Sequence, residues 1–195
     1  MLNKLIIDSS SRDSTFILRD AICNEIMPII KKNRPIVILC IGTDRSTGDS
    51  LGPLVGHKLT FLARDKIYIY GNLDIPIHAK NLKKTLTDIK KNFKNPYIVA
   101  VDACLGSIQN IGNIIIESKP LSPGSALKKN LPKVGDLSIT GIVNLSGTLE
   151  FMILQNTRLN TVMKLADVIS NGIYHSILKT IGGKRKNSLV KTKIM

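Results

Sequence analysis

The sequence has no tryptophan and only four tyrosines and four phenylalanines in 195 residues. That leaves little from which to build a platform for stacking single-stranded bases. Cysteine is sparse too: Cys23, Cys40 and Cys104 are an odd number and sit among aliphatic neighbours. Such thiols fit a reduced, cytosolic protein better than a disulfide framework. The three histidines are far apart in sequence and no cysteine pair has ligand spacing, which argues against a structural zinc. No apolar run approaches the roughly 18 residues of a membrane span. Residues 1–14 also lack a signal-peptide layout, so a membrane partner is not expected.

Acids are scarce as well. Against 28 Lys+Arg stand only 14 Asp+Glu, for a net charge of +14. The excess is lysine (21, against 7 arginines), in a chain that also holds 29 isoleucines and 15 asparagines. AT-rich coding favours all three, so the charge does not by itself indicate a selected partner. Arginine, the better ligand for phosphate and guanine, is the scarce base here. Two clusters stand out: Lys80, Lys83, Lys84, Lys90, Lys91 and Lys94 in one stretch, and Lys184, Arg185, Lys186, Lys191 and Lys193 near the end. A solvated basic face is the reading of both, and nucleic acid is disfavoured as a partner.

What is present is an alternation. Phe16–Lys32 has helical periodicity with Pro28 as a kink, and Pro35–Ile41 is a continuous apolar run of strand length. A helix from Pro53, a strand over 66–71, a helix over 79–93 and a strand over 97–102 follow. This β-α-β-α-β order implies a parallel sheet with helices on both faces and right-handed crossovers. A further strand is expected over 111–117, and 149–154 reads as a return to the sheet. A long helix follows over 159–181. The Pro- and Gly-rich stretch 119–147 has no clear reading. One domain over 1–195 is expected, with residues 1–13 and 184–195 as flexible arms.

In an open α/β sheet the working site lies beyond the carboxyl ends of the strands. Two acids fall there. Asp49 lies in the loop Thr43-Asp-Arg-Ser-Thr-Gly-Asp-Ser50 after the first long strand, and Asp102 ends the strand run beginning at Tyr97. Carboxyl groups at neighbouring strand ends can couple, so that one holds its proton while the other is ionised. One acid and one base suit water-mediated amide hydrolysis. The same pair could instead hold a divalent metal, or Asp49 could simply cap a helix.

The glycines of this loop do not make a phosphate cradle. Gly42 and Gly48 are separated by five residues rather than four, and Asp49 stands where a P-loop has lysine. Cys104 has no neighbour in sequence that would lower its pKa, and reads as a packing residue. His57 and His175 fall inside helical stretches. His78 lies between a strand and a helix on the site edge and is a candidate substrate-binding residue, as are Asp44 and Arg45 on the acid-bearing loop.

The stretch Gly42-Thr-Asp-Arg-Ser-Thr-Gly-Asp-Ser-Leu-Gly-Pro53, with the Asp102-Ala103 strand end, resembles the YyaC family of predicted sporulation proteases. Matching pieces include Pro76–Leu82, Pro123–Ser125, Gly135–Gly141 and Leu154–Leu159, so the likeness runs from about Arg34 to Ile181. More distantly the chain is similar to the germination protease that degrades small acid-soluble spore proteins, and to hydrogenase maturation endopeptidases. The resemblance implies a phosphorylase/hydrolase-like, three-layer αβα sandwich with a mostly parallel sheet. It also implies a proteolytic aspartate pair, which maps onto Asp49 and Asp102. In the hydrogenase enzymes an acid, the strand-end aspartate and a later histidine bind nickel; here residues 136–145 contain no histidine.

Together these readings give a cytoplasmic, aspartate-dependent endopeptidase-like protein of sporulation or germination. It would act on protein or peptide substrates, acidic spore proteins among them, as a monomer or a homo-oligomer. No resident cofactor is required. The rival readings are a metal-dependent hydrolase using the same acids and a non-catalytic spore assembly or regulatory protein on a protease-derived scaffold.

Overall fold

The structure is a computed structural model that describes residues 2–62, 64–124 and 131–182. Six strands form one sheet: β1 (Leu5–Asp8), β2 (Ile36–Cys40), β3 (Ile67–Tyr70), β4 (Tyr97–Gly106), β5 (Asn113–Glu117) and β6 (Leu137–Leu145). Their order is β1-β5-β6-β4-β2-β3. β3, β2, β4 and β6 are mutually parallel, while β5 runs antiparallel to both β6 and β1. The sheet is therefore mixed but mostly parallel, as expected of the alternation.

The central strands are buried on both faces, which is why they read as unbroken apolar runs. Every residue of β2 is buried. On one face pack α1 (Ser14–Lys31), α2 (Leu51–Lys58) and α5 (Leu159–Ile181), around Leu18, Ile22, Ile26, Leu51, Val55, Leu165 and Ile169. The buried face of α1 is set by Leu18, Ile22 and Ile26, and Phe16 at its start is half exposed. On the other face α3 (Leu82–Asn92) seats Leu82 and Ile89 against Val37, Leu39, Ile98 and Ala100. This gives the three αβα layers. No helix among the described residues is long and apolar enough to cross a membrane.

Three segments differ from expectation. Residues 1–13 are not a loose arm: Leu5–Asp8 pairs with Asn113–Ile116 as an edge strand packed against α1, and Ile7 is buried. Its four residues are too short to announce a strand in sequence. The expected arm at 184–195 lies outside the described residues. Within the unreadable stretch, Leu137–Leu145 is a strand inserted between β4 and β5. Gly141 in its middle looks like a breaker, yet a Cβ there would lie 2.6 Å from Leu51 Cδ2, so glycine lets α2 approach the sheet. Finally, 149–154 does not return to the sheet. With β4 and β5 flanking β6, no hydrogen-bonding edge is left beside it, and the run forms α4 (Glu150–Gln155). Leu154 is buried and Phe151 and Met152 are exposed.

Candidate active site

β2 and β4 are parallel neighbours, so their carboxyl ends lie side by side. Beyond β2, Ile41 donates its N–H to the Val101 carbonyl at 2.8 Å and bridges to Ile77 on the other side. Gly42 then turns the chain with φ +144°, its N–H 2.7 Å from the Ile77 carbonyl oxygen. The loop closes where the Thr43 N–H meets the Asp49 carbonyl at 3.0 Å. A Cβ on Gly42 would lie 2.0 Å from that carbonyl oxygen, so both the backbone angle and the space require glycine.

The closure folds Asp49 back toward the sheet. It sits half-buried in a short 3-10 turn, Gly48–Ser50, that leads into α2 and packs against β4. The Ser50 hydroxyl fixes the turn by donating to the Thr47 carbonyl at 2.6 Å.

Asp102 does not end its strand, because pairing with β6 carries β4 on to Gly106. It projects to the α3 face of the sheet, in line with Ile98 and Ala100. Burial pushes its pKa up from 3.8 to about 8. The Ala103 N–H, donated to Oδ1 at 2.9 Å, pulls the other way, and the negative charge of Asp49 adds to the rise. The structure thus brings the two acids within electrostatic reach of each other. At neutral pH Asp102 keeps its proton, while the charge that bears on it belongs to Asp49. Such an arrangement offers a proton donor and a carboxylate acceptor at one sheet edge.

The other sequence-selected residues are dispersed around this pair. Asp44 and Arg45 lie exposed at the loop tip, where the Arg45 N–H donates to Thr43 Oγ1 at 3.4 Å. His78 is held at the start of α3. Its N–H donates to Asn81 Oδ1 at 2.8 Å, and its ring Nδ1 accepts from the Lys80 N–H at 3.3 Å. It is next to the Gly42 turn in the chain order of the edge, on the β3 side, whereas Asp102 is on the β4 side. Cys104 lies two residues beyond Asp102 on the same face, and burial raises its thiol to about 11, against a hydrogen bond with Thr140 that lowers it. A thiol so rarely ionised at neutral pH is no nucleophile.

Sequence reasoning missed the residues contributed by β6. Thr140 is the register partner of Asp102. Asn144, at the end of β6, uses its amide nitrogen on the Ile153 carbonyl and Thr157 Oγ1, each at 3.2 Å, and its oxygen accepts the Leu145 N–H. It ties α4 to the sheet and is spent on that task. Among the described residues no group of three or more His, Cys, Asp and Glu could hold a metal ion. The donor set therefore does not fit the three-ligand nickel site that the hydrogenase resemblance implies. The signal for Thr140 was the period-2 pattern of Leu137-Ser-Ile-Thr, obscured by the Pro and Gly before it.

The structure is an α/β fold with a six-stranded, mixed but mostly parallel sheet, in which Asp49 lies beyond β2 and Asp102 within its parallel neighbour β4. The chain belongs to the family described as "Protein of unknown function (DUF1256)", which it matches over residues 6–172. It is 54% identical over 140 residues to "Uncharacterized protein YyaC" of Bacillus subtilis (strain 168), covering 72% of this chain and 68% of that one. Among solved structures it is similar to the [NiFe] hydrogenase maturation protease HycI of Thermococcus kodakarensis KOD1. The two are 19% identical, with a TM-score of 0.46 over 75% of this chain and 93% of that chain. A hydrogenase 3 maturation protease is 13% identical, with a TM-score of 0.36 over 71% and 94%.

Proposed function

We propose that this protein is an aspartate-dependent peptidase-like hydrolase in which Asp49 and Asp102 act as one unit. The observation that carries the reading is the raised pKa of Asp102 together with the charge of Asp49 beside it. Asp49 draws a proton from a water molecule, whose oxygen bonds to the peptide carbonyl carbon. Asp102 gives its proton to the departing nitrogen as the C–N bond breaks. The pair ends with the proton on Asp49 and the charge on Asp102, and one transfer through solvent restores it. Asp44, Arg45 and His78 would contact flanking parts of a polypeptide substrate. The proposed setting is sporulation or germination, which the resemblance of the Gly42–Pro53 stretch and the Asp102-Ala103 pair to predicted sporulation proteases implies.

The test is cleavage of an unfolded protein by wild type, Asp49→Asn and Asp102→Asn. Each variant is expected to lose about 10²- to 10⁴-fold in rate, the range for removing a general acid or base. Cleavage retained in both variants would overturn the mechanism. A purified wild type that holds such proteins without cutting them favours the scaffold reading instead.

A further inference from the structure

The sequence alone reads residues 80–94 as a solvated basic face. The structure adds where the acids fall around it. On α3, Leu82, Leu86 and Ile89 recur at i, i+4 and i+7 and pack on the sheet. Lys83, Lys84, Lys90 and Lys91 recur at i, i+1, i+7 and i+8, with Thr87 between the two pairs, and all are exposed. At about 100° per residue the four lysines share one side of the helix, an arc about 120° wide. Lys80 and Lys94, just beyond the two ends of α3, are exposed as well.

AT-rich coding raises the number of lysines but does not choose their partners. In the opposite helical layer bases meet acids: Arg19 and Lys179 hold Asp20 at 2.9 and 2.8 Å, and Lys58 holds Asp167 at 2.8 Å. None of the six lysines at α3 pairs with an acid among the described residues. Three acids border the helix. Asp88 bears on Tyr70 of β3, Asp136 accepts the Ile98 N–H at 2.8 Å, and Asp74 is exposed in the loop before α3. Positive charge therefore outweighs negative on this face, and the excess is concentrated on one side of one helix.

The pattern selects the kind of anion. From Lys83 to Lys91 four charges lie along about 12 Å of helix axis, one per roughly 3 Å. Each strand of duplex DNA carries one phosphate per about 3.4 Å of its axis. Lysine is a point charge on a flexible stem, suited to phosphates, and the stretch holds no arginine with which to read a base edge. No ring is free to stack an unpaired base, since Phe93 packs on Tyr68 and Tyr70 with centroids 4.2 and 6.4 Å away. A lipid surface would need apolar side chains beside the bases, and those of α3 are turned to the sheet.

We propose that the exposed side of α3 is a docking surface for duplex DNA, bound through its phosphate backbone without regard to sequence. The inference stands apart from the hydrolytic reading, in which none of these lysines takes part. Binding of this kind releases counterions and falls steeply with salt.

The experiment is fluorescence anisotropy of two labelled duplexes of unrelated sequence, each about 20 base pairs, titrated with the full chain between about 50 and 200 mM salt. One variant combines Lys83→Gln, Lys84→Gln, Lys90→Gln and Lys91→Gln. A control removes the same charge elsewhere with Arg12→Gln, Lys31→Gln, Lys32→Gln and Lys164→Gln. Every position is exposed and glutamine is a good helix former, so both proteins keep the fold. Wild type should bind the two duplexes alike, with a Kd of about 10⁻⁴–10⁻⁶ M near physiological salt. The α3 variant should bind about tenfold more weakly or worse. Its log–log salt slope should flatten by about one for each lysine that meets a phosphate, about three to four in all. The control should change the slope by less than about one. No binding by wild type at the lowest salt would overturn the proposal, as would equal losses in variant and control. Binding removed by deleting residues 184–195 but not by the α3 variant would also overturn it. So would tighter, α3-dependent binding to vesicles of anionic phospholipid than to either duplex, which would make the partner a membrane.

Discussion

The charge of Asp49 bears on the carboxyl of Asp102, although one residue comes from a loop after β2 and the other from within β4. The coupling depends on two strands being parallel neighbours and on a glycine turn that folds the loop back. Each element of that dependence has a measurable consequence.

The turn is the most easily broken part. Gly42→Ala puts a methyl group 2.0 Å from the Asp49 carbonyl at a φ of +144°. The loop must open to accommodate it, at a cost of about 2–4 kcal/mol in denaturant unfolding. Cleavage should fall in parallel with displacement of Asp49, even in conditions where the variant remains folded.

Asp102 ties stability to pH. Its pKa is about 8 when folded and near 3.8 in an unfolded chain. Below about pH 4 both states hold the proton and the residue has no effect. Between pH 4 and 8 the unfolded chain releases it while the folded chain retains it, so wild type loses stability as pH rises. Asp102→Asn, which does not titrate, should be the more stable protein at pH 8, by at most about 5 kcal/mol, and equal to wild type near pH 4. Unfolding midpoints across that range read the difference. Cleavage by wild type should also decline as pH passes about 8 and the donor is lost.

Cys104 stands close enough to Asp102 to be mistaken for a nucleophile. With its thiol raised to about 11, alkylation by iodoacetamide at pH 7.5 should be far slower than for a free thiol. Cys104→Ser should retain cleavage within about threefold, since the thiol serves only packing and its contact with Thr140. A loss as large as that of the aspartate variants would place Cys104 in the chemistry.

Much of the fold was legible because burial writes itself into apolar runs. Ile36–Cys40 is an unbroken hydrophobic strand, and α5 occupies the residues 159–181 that its periodicity indicates. The two acids were legible for a related reason: parallel strands joined by right-handed crossovers bring their ends to one edge. What could not be read depends on contacts distant in sequence. Leu5–Asp8 is a strand only because β5 offers it an antiparallel edge. Gly141 interrupts the pattern of β6 for the sake of Leu51, which lies on another element. Leu149–Leu154 has strand-like composition, but the strand before it, β6, is flanked by β5 and β4, and the run folds as a helix on the acid-bearing turn.

The most direct test of the paired acids is the titration of the Asp102 carboxyl carbon by NMR, in wild type and in Asp49→Asn. The expected midpoint in wild type is about 8. Removing the neighbouring charge should bring it down while burial keeps it above the ordinary range. A wild-type midpoint near 3.8, or one that Asp49→Asn leaves unmoved, would contradict the coupling on which the mechanism stands.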